Sequence, residues 1–150
     1  MNNRLFAAYG VGLNRAEMAK RFPTAKLLGV STLRNHRLAF RGIHAVAVAN
    51  VEPAKGYSVP VLVWEITPAD EAALDLHEGF PHLFEKREFR IRLDRKLVTC
   101  IAYVMRCDHP RGKPSAFYYS AVLEGYKAAG FDVDILRAAV SESAEETDHE

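Results

Sequence analysis

Apolar and polar positions change period several times along this chain, and each change marks an element. Arg4 to Tyr9 is a short apolar run bounded by Gly10, which predicts a buried strand. Asn14 is placed to cap a helix from Arg15 to about Arg21, and Pro23 stops it. Lys26 to Leu33 and Arg37 to Phe40 read as strands joined by the polar turn Arg34-Asn35-His36. Ile43 to Val51 alternates and predicts another strand, followed by a turn or loop over Pro53 to Gly56. Ser58 to Ile66 is strongly β-prone, with Pro60 pointing to an edge or a strand start. Thr67 and Pro68 open a helix with Asp70 and Glu71 in its first turn; it ends near Glu78, because Gly79 and Pro81 follow. Phe84 to Leu93 and Leu97 to Met105 pair as a hairpin across Asp94-Arg95-Lys96. His109 to Ser115 reads as a flexible loop. Ser115 then opens a helix to about Ala129, stopped by Gly130. Asp132 or Asp134 caps a last short helix to about Val140.

These elements predict a strand-rich α+β domain, a few helices packed on a mixed sheet. The chain has 150 residues, no internal repeat, and room for one domain over residues 1–140. Residues 141–150 form an acidic, aromatic-free tail expected to fray. The apolar share of 49% is enough for a sizeable core. With 20 basic against 19 acidic residues, the formal net charge of +1 gives no general attraction to nucleic acid or an anionic membrane. No apolar run approaches the ~20 residues that span a bilayer. The first residues do not read as an export signal, so the sequence points to the cytoplasm. There Cys100 and Cys107 are expected as free thiols, each a small packing residue. No cysteine or histidine spacing matches a zinc site, and no metal is expected.

Two segments carry candidate chemistry. In Phe6 to Asn14 a strand ends, Gly10 and Gly12 follow, and a helix begins. Such a bend exposes backbone N–H groups to an oxyanion or carboxylate, and glycines let a ligand approach the main chain. A plain strand-to-helix turn is the other reading. In Leu74 to Pro81 the carboxylate of Glu78 falls on the last turn of a helix, against Gly79 and Phe80. Partial negative charge at the helix end and burial would both raise its pKa towards that of a useful base. An exposed helix-end glutamate is the alternative. His77 and His82 flank Glu78 and could shuttle protons, but their spacing does not put them on one helix face. His36, His44 and His109 look isolated. Arg87, Arg90 and Arg92 fit a solvated sheet face better than a carboxylate clamp, and Trp64 fits the core. Tyr118, Tyr119 and Tyr126, at helical spacing, read as core or rim.

Taken in order, Tyr9-Gly10-Val11-Gly12-Leu13, Leu74 to Pro81 and Pro114-Ser115-Ala116-Phe117-Tyr118 resemble the motifs of the γ-glutamylcyclotransferase-like family. Gly125 to Asp132 is similar to the family's continuation, and the likeness spans roughly residues 4 to 135. The resemblance implies a small β-barrel-like mixed sheet with flanking helices and one central cavity. It implies an enzyme that releases an amine from a γ-glutamyl compound and forms 5-oxoproline. Glu78 is then the general acid/base. Tyr9, Gly10, Val11, Gly12 and Leu13 form the substrate cradle, with main-chain N–H groups near Gly10, Val11 and Gly12 as oxyanion donors. Tyr118 borders the cavity. This chemistry calls for no metal and no organic cofactor; the implied partner is a small γ-glutamyl molecule. The usual loop of the family is Tyr-Gly-Ser-Asn-Leu, so Val11 and Gly12 remove two side-chain donors. Phe84 stands on the substrate side where bacterial members carry tyrosine. These departures permit altered specificity, or a non-catalytic small-molecule-binding module of the same fold. An oligomeric scaffold is a third reading, with only β-rich edges behind it. Pro53 to Tyr57 and His109 to Lys113 carry no readable code for the amine half of a substrate, and oligomeric state has no signature.

Overall fold

The computed structural model describes residues 2–43, 45–105 and 109–148, the last five as backbone only. His44 and Cys107 lie outside the described residues. The elements, in chain order, are β1 (Arg4–Ala8), a 3-10 turn (Val11–Leu13), α1 (Arg15–Arg21), β2 (Lys26–Arg41), β3 (Val48–Ile66), α2 (Pro68–Glu78), β4 (Phe84–Leu93), β5 (Lys96–Met105), α3 (Ala116–Ala129) and α4 (Val133–Asp148). Five strands form one mixed sheet in the order β2-β3-β1-β5-β4. β1 runs antiparallel to β3 and parallel to β5, through Phe6 opposite Ile101. The outer pairs are antiparallel.

The two ends of this order approach each other. Ser31 Oγ donates to the Arg92 carbonyl at 2.5 Å, and the His36 ring meets the edge of Phe89. The sheet therefore curls towards a barrel, leaving central β1 buried at Phe6, Ala7 and Ala8. The fold is thus α+β, a small barrel-like mixed sheet with flanking helices. Leu13, Phe40, Leu62, Ile66, Ile101, Tyr126 and Leu136 are among the fully buried side chains.

Local chemistry sets the helix ends. Asn14 caps α1 by accepting from the Glu17 N–H. Thr67 and Asp70 form a reciprocal capping box on α2, and Gly79, at φ 66°, closes it in the left-handed region. Ser115 caps α3 and Gly130 ends it. Asp132 accepts from the Asp134 N–H at the start of α4.

Five sequence expectations are corrected. Residues 34–36 are not a turn. Asn35 takes φ 61° inside one continuous β2, where the register with β3 shifts, and its Oδ1 accepts from the Gly56 N–H. A β-bulge absorbs the left-handed residue, so the strand bends without reversing. Likewise Pro53 to Gly56 lies within β3, with Pro53 opposite His36. β1 reaches β3 only from Leu62 onwards, so neither Pro53 nor Pro60 meets a second neighbouring strand. The alternating pattern from Ile43 misleads: β3 begins at Val48, and Ile43 and Val46 are exposed. The chain turns there because Gly42 and Ala47 bond instead to the 110–113 segment, through the Pro110 and Lys113 carbonyls. That segment, expected as a flexible loop, is stitched to the end of β2, Gly112 N–H donating to the Phe40 carbonyl. Finally, α4 does not end near Val140 but continues to Asp148. Ser143 is buried there, its hydroxyl bonded to the Ala139 carbonyl, and Glu142 pairs with Arg37 of β2.

Candidate active site

A cavity of about 380 Å³ opens where the end of β1, the 3-10 turn, α1, α2 and α3 converge. Its floor is main chain. β1 delivers Tyr9 and Gly10; the turn then closes through Leu13 N–H to the Gly10 carbonyl and Asn14 N–H to the Val11 carbonyl, both 2.9 Å. Two side chains from elsewhere pin this turn. Trp64 Nε1 donates to the Gly12 carbonyl at 3.1 Å, and Asn14 Nδ2 reaches the Ala121 carbonyl of α3 at 3.0 Å.

Both glycines line the cavity and are also required by packing. A Cβ on Gly10 would lie 2.9 Å from the Tyr118 hydroxyl, and one on Gly12 would lie 2.8 Å from the Ala8 Cβ. Tyr118 is therefore seated directly over the bend. Its oxygen accepts from the Ala49 N–H at 3.1 Å. The phenol is held neutral, its pKa pushed up by burial and by the charge of Glu78 against the pull of nearby main-chain N–H groups. With the Ala49 N–H entering its oxygen, the hydroxyl proton is left to donate.

Glu78 enters the cavity from the last turn of α2. Desolvation raises its pKa from 4.5 to about 7, and the charge of Arg21 opposes the rise. The turn that carries it is anchored one face away. Asp75 accepts from the Tyr103 hydroxyl at 2.5 Å and from Lys86 Nζ at 3.1 Å, and Lys86 also reaches Glu71 at 2.7 Å. Tyr9 spans the cavity base, donating to the Tyr103 carbonyl at 2.5 Å; burial, then the charge of Glu78, pushes its pKa well up.

The structure brings together Tyr9, Gly10, Val11, Gly12, Glu78, Phe84 and Tyr118 around this space. Leu13 is not among the lining residues; it is buried in the core beneath Gly125. Tyr118 is partly buried and lines the cavity. His77 lines the cavity, its ring nitrogens 2.8 and 3.1 Å from an Arg21 nitrogen, whereas His82 is exposed and outside the lining. Arg87, Arg90 and Arg92 are exposed and remote from the lining residues, as their spacing suggested. Cys100 is buried and burial pushes its thiol up to about 11, which suits a packing residue. Among the described residues, no group of three or more His, Cys, Asp or Glu could hold a metal ion. None of the described helices is long and apolar enough to cross a membrane.

Sequence reasoning missed Glu17, Arg21, Phe6, Val48, Ala49 and Tyr103 in the lining. Glu17 and Arg21 are an ordinary i,i+4 pair on a short helix, and only the docking of α1 against α2 gives them a cavity to face. Ala49 enters through a main-chain N–H, which leaves no mark on residue type.

A strand-ended glycine bend, a tyrosine over it and a half-buried carboxylate thus share one cavity. Residues 6–121 match the family described as gamma-glutamyl cyclotransferase, AIG2-like, and the chain belongs to that family. Among solved structures, one described as a gamma-glutamyl cyclotransferase superposes with a TM-score of 0.81 at 22% identity, covering 92% of this chain and 86% of the other. An uncharacterised human protein gives 0.81 at 22% identity, over 93% and 87% of the two chains. A yeast gamma-glutamyl cyclotransferase specific to glutathione gives 0.70 at 8% identity, over 97% of each. At these identities the likeness is one of fold. No curated protein matches the sequence.

Proposed function

We propose that this protein cyclises a γ-glutamyl compound to 5-oxoproline and releases the amine. One observation carries the reading: a carboxyl with pKa about 7 shares a cavity with a neutral tyrosine hydroxyl that the Ala49 N–H holds in place. The α-ammonium of a γ-glutamyl group becomes a nucleophile only after losing a proton. Ionised Glu78 takes it. The nitrogen then attacks the γ-carbonyl carbon of the same molecule, so the cavity need only hold a folded, near-attack shape. The new C–N bond closes the five-membered ring and places negative charge on the former carbonyl oxygen. Tyr118 donates to that oxyanion, with the Ala49 N–H acting through it. A preorganised donor of this kind contributes about 3 kcal/mol. As the intermediate collapses, the bond to the departing amine breaks and protonated Glu78 gives its proton to that amine; ionised again, Glu78 takes the second proton from the ring nitrogen, leaving the neutral lactam, and passes it to the released amine or to water.

A pKa near the working pH suits both halves of this cycle, since the same group must accept and then donate. The second reading, a binding module without turnover, is favoured by Val11 and Gly12, which supply no side-chain donors. Incubation with a panel of γ-glutamyl amines, amino acids and peptides, followed by measurement of 5-oxoproline, separates the two. Release of 5-oxoproline that disappears in Glu78→Gln supports the enzyme. Ligand binding by wild-type protein without product supports the module.

A further inference from the structure

The proposed mechanism uses one charged group in the cavity, yet a γ-glutamyl head carries two charges on one carbon. Its α-ammonium goes to Glu78. Its α-carboxylate is attached to the same carbon, so it must lie in the part of the cavity next to Glu78. The main-chain bend is a poor receiver for it: Val11 and Gly12 have no side-chain donors, and the Tyr118 hydroxyl sits over the bend at Gly10.

Arg21 is the single lysine or arginine among the described lining residues, and it flanks both the main cavity and a small apolar recess beside Glu78. One of its guanidinium nitrogens lies 2.8 Å from Nε2 and 3.1 Å from Nδ1 of His77, the residue that immediately precedes Glu78. Its other terminal nitrogen is 3.5 Å from Glu17 Oε1, while Glu17 Oε2 takes Lys20 at 3.3 Å. The single negative charge of Glu17 is thus shared between two cations and does not occupy Arg21 alone. Burial and the Arg21 charge lower the His77 pKa, so the ring is neutral at pH 7 and holds the guanidinium without cancelling it. The guanidinium is oriented, partly exposed to the cavity and adjacent to the base.

We propose that Arg21 binds the substrate's α-carboxylate and makes the site selective for compounds that keep it, in place of the side-chain donors missing from the Val11-Gly12 bend. This rests on the cyclotransferase reading above. Arg21, oriented by His77, fixes the Cα of the substrate from the carboxylate side while Glu78 addresses the nitrogen. With the γ-carbonyl held at Tyr118 as a third point, these two contacts fix which face of the carbon is presented, so the site also selects one enantiomer. Removing the carboxylate from the substrate, or the guanidinium from the protein, removes the same interaction.

The test pairs two probes that differ only in the carboxylate: 5-oxoproline and 2-pyrrolidinone, titrated into wild type, Arg21→Ala, Arg21→Gln and Arg21→Lys by calorimetry. Wild type is expected to prefer 5-oxoproline. Arg21→Ala and Arg21→Gln are expected to bind it about 10- to 100-fold more weakly, as for a lost charge-assisted bond. Their 2-pyrrolidinone affinity should stay within about twofold, and Arg21→Lys should recover part of the loss. In turnover, the preference for a γ-glutamyl amide over its 4-aminobutanoyl counterpart should shrink by the same factor, mainly through KM. A wild type with no preference between the probes, or variants that keep the full preference, overturns the assignment. Cyclising activity with that preference intact in Arg21→Ala sinks this inference alone. Absence of 5-oxoproline formation from every γ-glutamyl compound, with binding still dependent on Arg21, sinks the enzyme reading and leaves the anchor standing.

Discussion

Replacing Glu78 by glutamine separates the stability of the fold from the chemistry of the site. The Glu78 carboxyl has a folded-state pKa of about 7 against 4.5, because the cavity withholds water from its charged form. A raised acid pKa means that the folded protein binds the proton more tightly than the unfolded chain. Below pH 4.5 the carboxyl is neutral in both states and costs nothing. Between 4.5 and 7 the unfolded chain ionises first and stability falls; above 7 the whole penalty is present. The linkage amounts to about 3 kcal/mol as an upper figure, since the group keeps some contact with cavity water. Glutamine has nearly the same shape and never ionises. Glu78→Gln is therefore expected to match wild type near pH 4 and to exceed it at pH 8 by up to roughly 3 kcal/mol. In a chain of this size that is about 6–10 °C in Tm. The assay is thermal or urea unfolding of both proteins at several pH values, alongside 5-oxoproline release. The rate is expected to fall about 10²- to 10⁴-fold in the variant, and wild-type activity to rise with pH through about 7 as the base ionises. A stability difference that does not change with pH would show that the carboxyl is not desolvated. An unchanged rate would show that it is not the base.

Tyr118→Phe removes the oxyanion donor and leaves the Ala49 N–H without its acceptor; steady-state kinetics should show kcat lower by about 10²- to 10³-fold, and urea unfolding a loss of about 1–3 kcal/mol. Gly12→Asn, which restores the residue usual in the family, should not improve the site. Its Cβ would meet the Ala8 Cβ at 2.8 Å, so unfolding midpoints should drop by the equivalent of about 1–3 kcal/mol. Tyr103→Phe cuts the 2.5 Å bond to Asp75 that anchors the last turn of α2; about 1 kcal/mol should be lost, with faster amide exchange in residues 75–79.

Local chemistry made much of this protein readable in one dimension. The Asn14, Thr67 and Ser115 caps, the Gly79 and Gly130 stops and the β4–β5 hairpin act within a few residues, so residue type alone placed α1, α2, α3 and the last two strands. Glu78 and the Tyr9-Gly10 bend stood out for the same reason, as motifs whose order along the chain carries the family likeness. What sequence could not carry was any feature made by neighbours distant in the chain. Asn35 reads as a turn until the Gly56 N–H arrives to stabilise it as a bulge. Ile43 to Ala47 reads as a strand until residues 110–113 take its hydrogen bonds. Arg21 reads as one end of a surface ion pair until α2 brings His77 and Glu78 beside it. Tertiary structure decided which N–H groups face Tyr118, how far Glu78 is desolvated and which cation shares its cavity. The reason is physical: hydrogen-bond partners, desolvation and Coulomb terms depend on distance in space, whereas the sequence records only distance along the chain.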